Sequence, residues 1–286
     1  AVSTPGRLLR RALDAGPLLV PFVFDGLQAR LAEQAGFAAV YLSGFGCAAA
    51  RGRPDLGLLT MSEMLDGVRA VAGSVGIPAI CDADTGFGDV LNVQRAVEEF
   101  ERAGAAALQI EDQVWPKRCG FMAGKEVVSE REMLAKLRAA CDARRAADFL
   151  IVARTDALAP LGWDEAERRA RAYCDAGADL IFVGGVADAA ALDEYLRRLG
   201  DLPIAYNGRL GEPRELHARG VRLQIHGGVL AVLFRAVQRA MRELRETGAL
   251  REVPPDGNPL GEETMAEWLR LFGAEEMLRR GEGYGA

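Results

Sequence analysis

The chain has 286 residues, half of them hydrophobic and 27% charged, with a formal net charge of −6. That balance excludes a nucleic-acid binder and a protein of anionic membrane surfaces, both of which need basic stripes. Only two histidines, His217 and His226, stand against 41 acidic residues, which excludes a multi-histidine zinc or iron site and leaves carboxylate-held Mg²⁺ or Mn²⁺ as the metal to expect.

The chain opens on a short amphipathic helix with Leu8, Leu9, Ala12 and Leu13 on one side. Its basic residues are not followed by an apolar h-region, so it does not read as a secretory signal. Eight short apolar runs then follow, at 18–24, 38–42, 77–81, 106–110, 149–153, 179–183, 203–206 and 222–226. Near-continuous apolar runs of this kind suit parallel strands covered on both faces. Amphipathic segments lie between them. Thr60-x-x-Glu63 and Ser129-x-x-Glu132 have the capping-box spacing, and Pro213 suits a first helical turn. Gly36, Gly104, Gly177 and Gly220 each separate a helix from the next strand, where a left-handed helix-ending residue is expected.

Eight strands alternating with helices predict an α/β fold, a (β/α)₈ barrel over residues 1–247, rather than an open doubly wound sheet. No GxGxxG follows the first strand. A long helix at about 229–247 follows the last strand, then a turn-rich stretch at 248–262 and a helix at about 262–281 with Met265, Trp268, Leu269, Leu271 and Phe272. The segment 248–286 reads as a helical arm, packed either on a neighbouring subunit or back on its own barrel. No apolar run reaches the roughly 18 residues of a membrane span.

Barrel chemistry sits at the C-terminal ends of the strands. There the sequence places Asp25, Ser43-Gly44, Asp82 and Asp84, Glu111-Asp112, Arg154-Thr155-Asp156, Asn207 and His226, while strand six ends in Val183-Gly184-Gly185. So many carboxylates facing one arginine call for a divalent cation. Taken singly, Asp25 and Asp156 also read as helix caps. Cys119 lies in a long loop, 113–125, flanked by Lys117, Arg118 and Lys125, cations expected to lower the pKa of its thiol. Gly120 and Gly124 would let that loop close as a lid. The other cysteines, Cys47, Cys81, Cys141 and Cys174, form no CxxC pair, and a reducing, cytoplasmic compartment is the simpler reading.

YLSG (41–44), GRPDLGLLT (52–60), CDADTGFGD (81–89), IEDQVWPKRCG (110–120) and ARTDA (153–157) together resemble the isocitrate lyase/phosphoenolpyruvate mutase superfamily, closest to its short methylisocitrate-lyase-like and carboxyphosphonoenolpyruvate-mutase-like members. The resemblance implies a homotetramer built as a dimer of dimers, with C-terminal helices exchanged, and a Mg²⁺ site for a small oxyacid. By position it makes Asp84 the direct metal ligand, with Asp55, Asp82 and Glu111 acting mainly through water. Tyr41, Ser43, Gly44, Gly120, Arg154 and Asn207 fall at substrate-contacting positions, and Cys119 at the lid acid/base. Three positions depart from the pattern. Phe121 replaces a histidine, Gly184 stands where a glutamate is common, and Asn207-Gly208 replaces an N-M pair. The expected activity is Mg²⁺-dependent C–C cleavage of a methylisocitrate or 2-alkylmalate type acid. Oxaloacetate decarboxylation or hydrolysis, and P–C bond chemistry on phosphonopyruvate, are the alternatives.

Overall fold

The structure, a computed structural model, describes residues 3–120, 122–253 and 258–283. Phe121 therefore lies outside the described residues, as do parts of the turn-rich stretch and of the C-terminus.

The strands are β1 (Leu18–Val23), β2 (Val40–Leu42), β3 (Ala79–Asp82), β4 (Ala107–Glu111), β5 (Leu150–Thr155), β6 (Leu180–Val183), β7 (Ile204–Asn207) and β8 (Val221–His226). They pair in chain order, all parallel, and β8 pairs with β1 to close a barrel. The helices up to β8 are α1 (Pro5–Ala15), α2 (Gly26–Gln34), α3 (Gly44–Ala50), α4 (Met61–Ala72), α5 (Val90–Arg102), α6 (Glu130–Asp142), α7 (Leu158–Leu161), α8 (Trp163–Asp175), α9 (Ala189–Leu199) and α10 (Pro213–Ala218). After β8 come α11 (Gly228–Thr247), α12 (Glu262–Leu271) and α13 (Ala274–Glu282).

Local signals act where the sequence places them. Thr60 and Glu63 form a reciprocal capping box on α4, and Pro213 occupies the first turn of α10. Ser129 caps α6 by accepting from Glu132 N at 3.2 Å. Gly36, Gly104, Gly177 and Gly220 all have positive φ, between 86° and 105°.

Two apolar layers result from the alternation of side chains along each strand. The outward set, including Leu42, Cys81, Leu108, Ile151 and Ile181, packs under the helices. The inward set, including Val20, Tyr41, Ile80, Ala107, Val152, Phe182 and Ala205, fills the barrel. Leu9 and Leu13 of α1 join that inner layer and plug the N-terminal end. Arg10 secures the plug by pairing with Asp179 at 2.8 Å.

The chain divides into two compact units, one running to Val229 and the other from Leu230 onward. In the second unit the helix expected at 262–281 is two helices. Gly273 adopts a left-handed φ of 67° between them and breaks the run. None of α11, α12 or α13 buries a residue.

Candidate active site

The inward rows that fill the barrel continue beyond its apolar layer, and there they turn polar. In β3 and its extension the row runs Ile80, Asp82, Asp84; in β4 it runs Ala107, Gln109, Glu111, Gln113. In β5 it runs Val152, Arg154, Asp156, in β6 Phe182, Gly184, and in β7 Ala205, Asn207. A period of two thus carries the core-facing side of each strand into the mouth. Register brings the rows together: Asp82 sits beside Gln109, and Glu111 beside Arg154.

Asp82, Asp84, Glu111, Arg154 and Asp156 are all buried. Asp82 accepts from Gly44 N at 3.3 Å and from Asp84 N at 3.1 Å. Asp84 has a left-handed φ of 47°, a conformation that costs a non-glycine residue about 1–2 kcal/mol and is kept where the site needs it. Lys117 lies between Asp55 and Asp84, 3.0 Å from Asp84 Oδ1. Arg154 lies 3.2 Å from Glu111 and 2.8 Å from Asp156, with its guanidinium 4.9 Å from the Phe182 ring centre. Burial raises the Asp84 carboxyl to about 6 against the pull of Lys117. Burial likewise pushes Glu111 well up, with Arg154 opposing. Burial also disfavours a charged Asp156, but Arg154 and Lys125 prevail and hold its carboxyl low.

The loop after β4 closes over this mouth. Its base is pinned where Gln113 bridges Val127 and where Val114 N donates to Glu126 O at 2.9 Å. Cys119 is 8% exposed, beneath the loop rather than on its surface. Each of the cations that flank the thiol in sequence has a partner in the site or the loop. Lys117 serves Asp55 and Asp84, Lys125 serves Asp156 and the Gly120 carbonyl, and Arg118 donates to Ala123 O. Gly120 packs against Arg154, whose Nη2 would lie 2.7 Å from a Cβ there. A cavity of about 840 Å³ lies on the other side of this loop, lined by Thr60, Arg95, Trp115, Glu132 and Lys136. None of the five mouth carboxylates lines it, although Gln113 does.

The remaining sequence candidates divide. Ser43 caps α3 by accepting from Gly46 N at 3.2 Å, which keeps the Ser43-Gly44 turn beside Asp82. Tyr41 is buried among the inward residues of the barrel. Its hydroxyl donates to Gln109 at 2.8 Å, and Gln109 in turn donates to Asp82 at 3.4 Å. Asn207 is half-buried at the end of β7. His226 Nδ1 accepts from Gly228 N at 3.2 Å. Asp25 is a helix cap, accepting from Gln28 N at 2.8 Å. Asp156 is no cap: α7 begins without a side-chain cap, and Asp156 is spent on Arg154, Lys125 and Gln113. Gln113 and Lys125 are the residues that strand-end reasoning missed. The inward row marked Gln113, two places after Glu111; the sequence marked Lys125 only as a cation near Cys119, not as a partner of Asp156.

Two of the departures have a steric basis. A Cβ on Gly184 would lie 2.4 Å from Asp156 Oδ1, and one on Gly208 would lie 2.1 Å from the Tyr206 hydroxyl. Larger side chains at these positions require Asp156 and Tyr206 to move.

The donor set suits a hard divalent cation. Asp55, Asp82, Asp84, Glu111 and Asp156 face Lys117, Lys125 and Arg154, so the carboxylates outnumber their counter-charges. Asp84 Oδ1 is buried and receives no hydrogen bond, although Lys117 is near. Among the described residues no three His, Cys, Asp or Glu side chains form a ready-made cage. One direct carboxylate with water completing the shell is the arrangement these residues can offer, and Mg²⁺ accepts it.

The chain matches the phosphoenolpyruvate phosphomutase family over residues 9–246. It is 42% identical to the 2,3-dimethylmalate lyase of Eubacterium barkeri over 229 residues, which is 76% of this chain and 78% of the relative. Among solved structures it resembles an oxaloacetate acetylhydrolase in complex with 3,3-difluorooxalacetate, with a TM-score of 0.89, 33% identity and coverage of 99% and 98% of the two chains. It resembles a phosphonopyruvate hydrolase complexed with oxalate and Mg²⁺ at a TM-score of 0.87 and 33% identity, covering 99% of this chain and 100% of that one. A family match across nearly the whole barrel, joined by a lyase relative of this identity, places the sequence motifs in their lineage: the chain belongs to the isocitrate lyase/phosphoenolpyruvate mutase superfamily and is a carbon–carbon lyase type of enzyme.

Proposed function

We propose that the chain cleaves a C–C bond in a small 2-hydroxy di- or tricarboxylate of the 2-alkylmalate or methylisocitrate type, and that it depends on Mg²⁺ or Mn²⁺. The observation that carries this reading is the buried loop thiol of Cys119, set between residues 118 and 120 at the rim of a carboxylate cluster that contains Arg154. Asp84 would hold the cation directly, and Asp55, Asp82 and Glu111 through water. When bound, the cation would supply positive charge that stabilises the negative charge building up on the substrate. Arg154 binds substrate carboxylate, its guanidinium already oriented by Glu111 and Asp156. The Ser43-Gly44 turn lies at the same rim, and a second substrate carboxylate would take over the Gly44 N–H that now donates to Asp82. A mouth carboxylate such as Glu111, whose proton affinity burial raises, takes the 2-hydroxyl proton as the C2=O bond forms; the C2–C3 electron pair moves to C3, next to a carboxylate, and the Cys119 thiol gives C3 a proton and is left as thiolate. The closed loop keeps water from doing so first.

A second reading is cleavage of oxaloacetate. The space at Gly184 is filled by Asp156 rather than by a further acid from β6, which leaves a less demanding second half-site. The deciding experiment is an assay with Mg²⁺ on 2,3-dimethylmalate, 2-methylisocitrate, oxaloacetate and phosphonopyruvate, each product measured separately. Pyruvate from either of the first two acids, abolished by EDTA and by Cys119→Ala, is the expected result. Turnover of oxaloacetate alone would replace the leading reading with the second. The same reading makes the enzyme a cytoplasmic homotetramer, a dimer of dimers, acting on a free small molecule.

A further inference from the structure

Asp156 touches no reacting atom in the bond cleavage proposed above, yet Arg154, Lys125 and Gln113 all converge on it. It has no exposed surface. Arg154 Nη2 donates to its Oδ1 at 3.0 Å, and Arg154 Nε lies 2.8 Å from its Oδ2. Lys125 Nζ donates to Oδ1 at 2.8 Å and Gln113 Nε2 to Oδ2 at 3.2 Å. Gln113 and Lys125 stand at opposite ends of the loop that carries Cys119.

Both of these side chains also hold the loop itself, and they hold it on either side of the thiol. Gln113 Oε1 accepts from Arg118 N at 3.0 Å, and Gln113 Nε2 donates to Arg118 O at 3.0 Å. Lys125 Nζ donates to Gly120 O at 2.9 Å. Arg118 and Gly120 are the residues immediately before and after Cys119. Asp156 therefore touches both side chains that hold the neighbours of the cysteine, sharing Gln113 Nε2 with Glu111 Oε1 at 2.9 Å, and it also orients Arg154. Asp112 shows what a fold-holding acid looks like here. It is equally buried, and its side chain accepts from Thr155, Tyr173, Arg169 and Asp156 N.

We propose that Asp156, acting through Gln113 and Lys125, is a positioning residue that places the Cys119 thiol and the Arg154 guanidinium as one unit when the loop is closed. Gly184 belongs to the device, because a Cβ there would lie 2.4 Å from Asp156 Oδ1 and dislodge the shared carboxylate. The catalytic consequence rests on the acid role of Cys119 argued under the proposed function; the geometric one does not. Misplacing a reacting group by about 1 Å is enough to cost on the order of a hundredfold in rate.

The test reads the position of Cys119 before any turnover. Iodoacetamide alkylation of the resting protein is followed at each cysteine by peptide mass spectrometry. Lys125→Met removes the grip on Gly120 and one leg of the Asp156 cluster. Cys119 should then be alkylated at least about tenfold faster than in the unaltered protein, the size of change that freeing a buried thiol brings. Removing a nearby cation would by itself slow alkylation, so acceleration reports exposure. Cys141, half-buried on α6, should keep its rate. Acceleration at Cys119 alone, reproduced by Asp156→Asn and largely reversed in Lys125→Arg, supports the proposal. An unchanged Cys119 rate in Lys125→Met overturns it, and so does an equal acceleration at both cysteines, which would mean general loosening. On a cleaved substrate, kcat should fall much more than KM changes; a change confined to KM also overturns it. If no oxyacid is cleaved at all, the proposed function fails, and the alkylation result still decides the latch.

Discussion

Asp84 is the residue on which metal dependence can be tested through acidity. Burial raises its carboxyl from 3.8 to about 6, and Lys117 opposes only part of that rise. In the metal-free protein the protonated form is the favoured one, so the stability tied to it is full below 3.8 and is lost as pH rises through about 6. A divalent cation reverses the preference, because it binds the ionised oxygen that the proton would occupy. Saturating Mn²⁺ should therefore raise the melting temperature well above pH 6 and do little below it. Equal stabilisation on both sides of that pH, or the same stabilisation in Asp84→Asn, would remove Asp84 as the direct ligand. The residues of this cluster differ in how far sequence alone reveals them. Asp82, Asp84, Glu111 and Arg154 stand at strand ends and are ionisable, which is signal enough. Asp156 is ambiguous on those terms because an aspartate before a short helix caps as often as it pairs. Its partner Lys125 lies outside any strand, and only the return of the loop across the mouth brings the two together.

Elements are legible where the backbone imposes a residue type. Each of the four helix-ending glycines needs a left-handed φ, and that requirement is readable before any tertiary contact is known. The cost of replacing them is not equally readable, because it depends on what lies above the missing Cβ. At Gly36, with φ at 86°, nothing lies within 4 Å. Gly36→Ala should lose only the conformational preference, about 1–2 kcal/mol. At Gly220 the Cβ would fall 2.4 Å from Gly200 O, a backbone atom that cannot swing aside. Gly220→Ala should lose about 3 kcal/mol or more, since strain and a close contact add. Urea midpoints at constant slope measure both, and equal losses would show that the α9–β7 turn yields. The second unit shows the opposite limit. Apolar residues continue on both sides of Gly273, so periodicity runs through the break between α12 and α13, and a glycine within a helical pattern is often tolerated.

At the scale of the whole molecule, the second unit presents apolar surface that a solitary chain has no use for. Phe234, Val237, Met241 and Leu244 follow one another at helical spacing along α11 and are 61%, 46%, 65% and 46% exposed. Met277 and Leu278 on α13 are exposed by 65% and 68%. Stripes of this kind on soluble proteins mark surfaces that another chain covers, and exact repetition of the same stripe on every copy favours closed symmetric assembly. The barrel and its mouth are readable from one sequence because every partner of each strand lies in the same chain. A face that another copy would cover lacks that internal partner, so such helices announce amphipathicity and nothing more. Sedimentation velocity should give a mass several times 30.7 kDa, with four copies the expected number. The melting temperature should rise with protein concentration, as it does when folding and association are linked. Phe234→Glu combined with Met241→Glu places two charges on the stripe and should shift the mass toward one copy without altering the closed barrel, which hydrogen exchange in β4 and β5 would report. A single-copy mass for the unaltered protein at tens of micromolar, with a melting temperature independent of concentration, would sink the assembly and leave the stripe without an occupant.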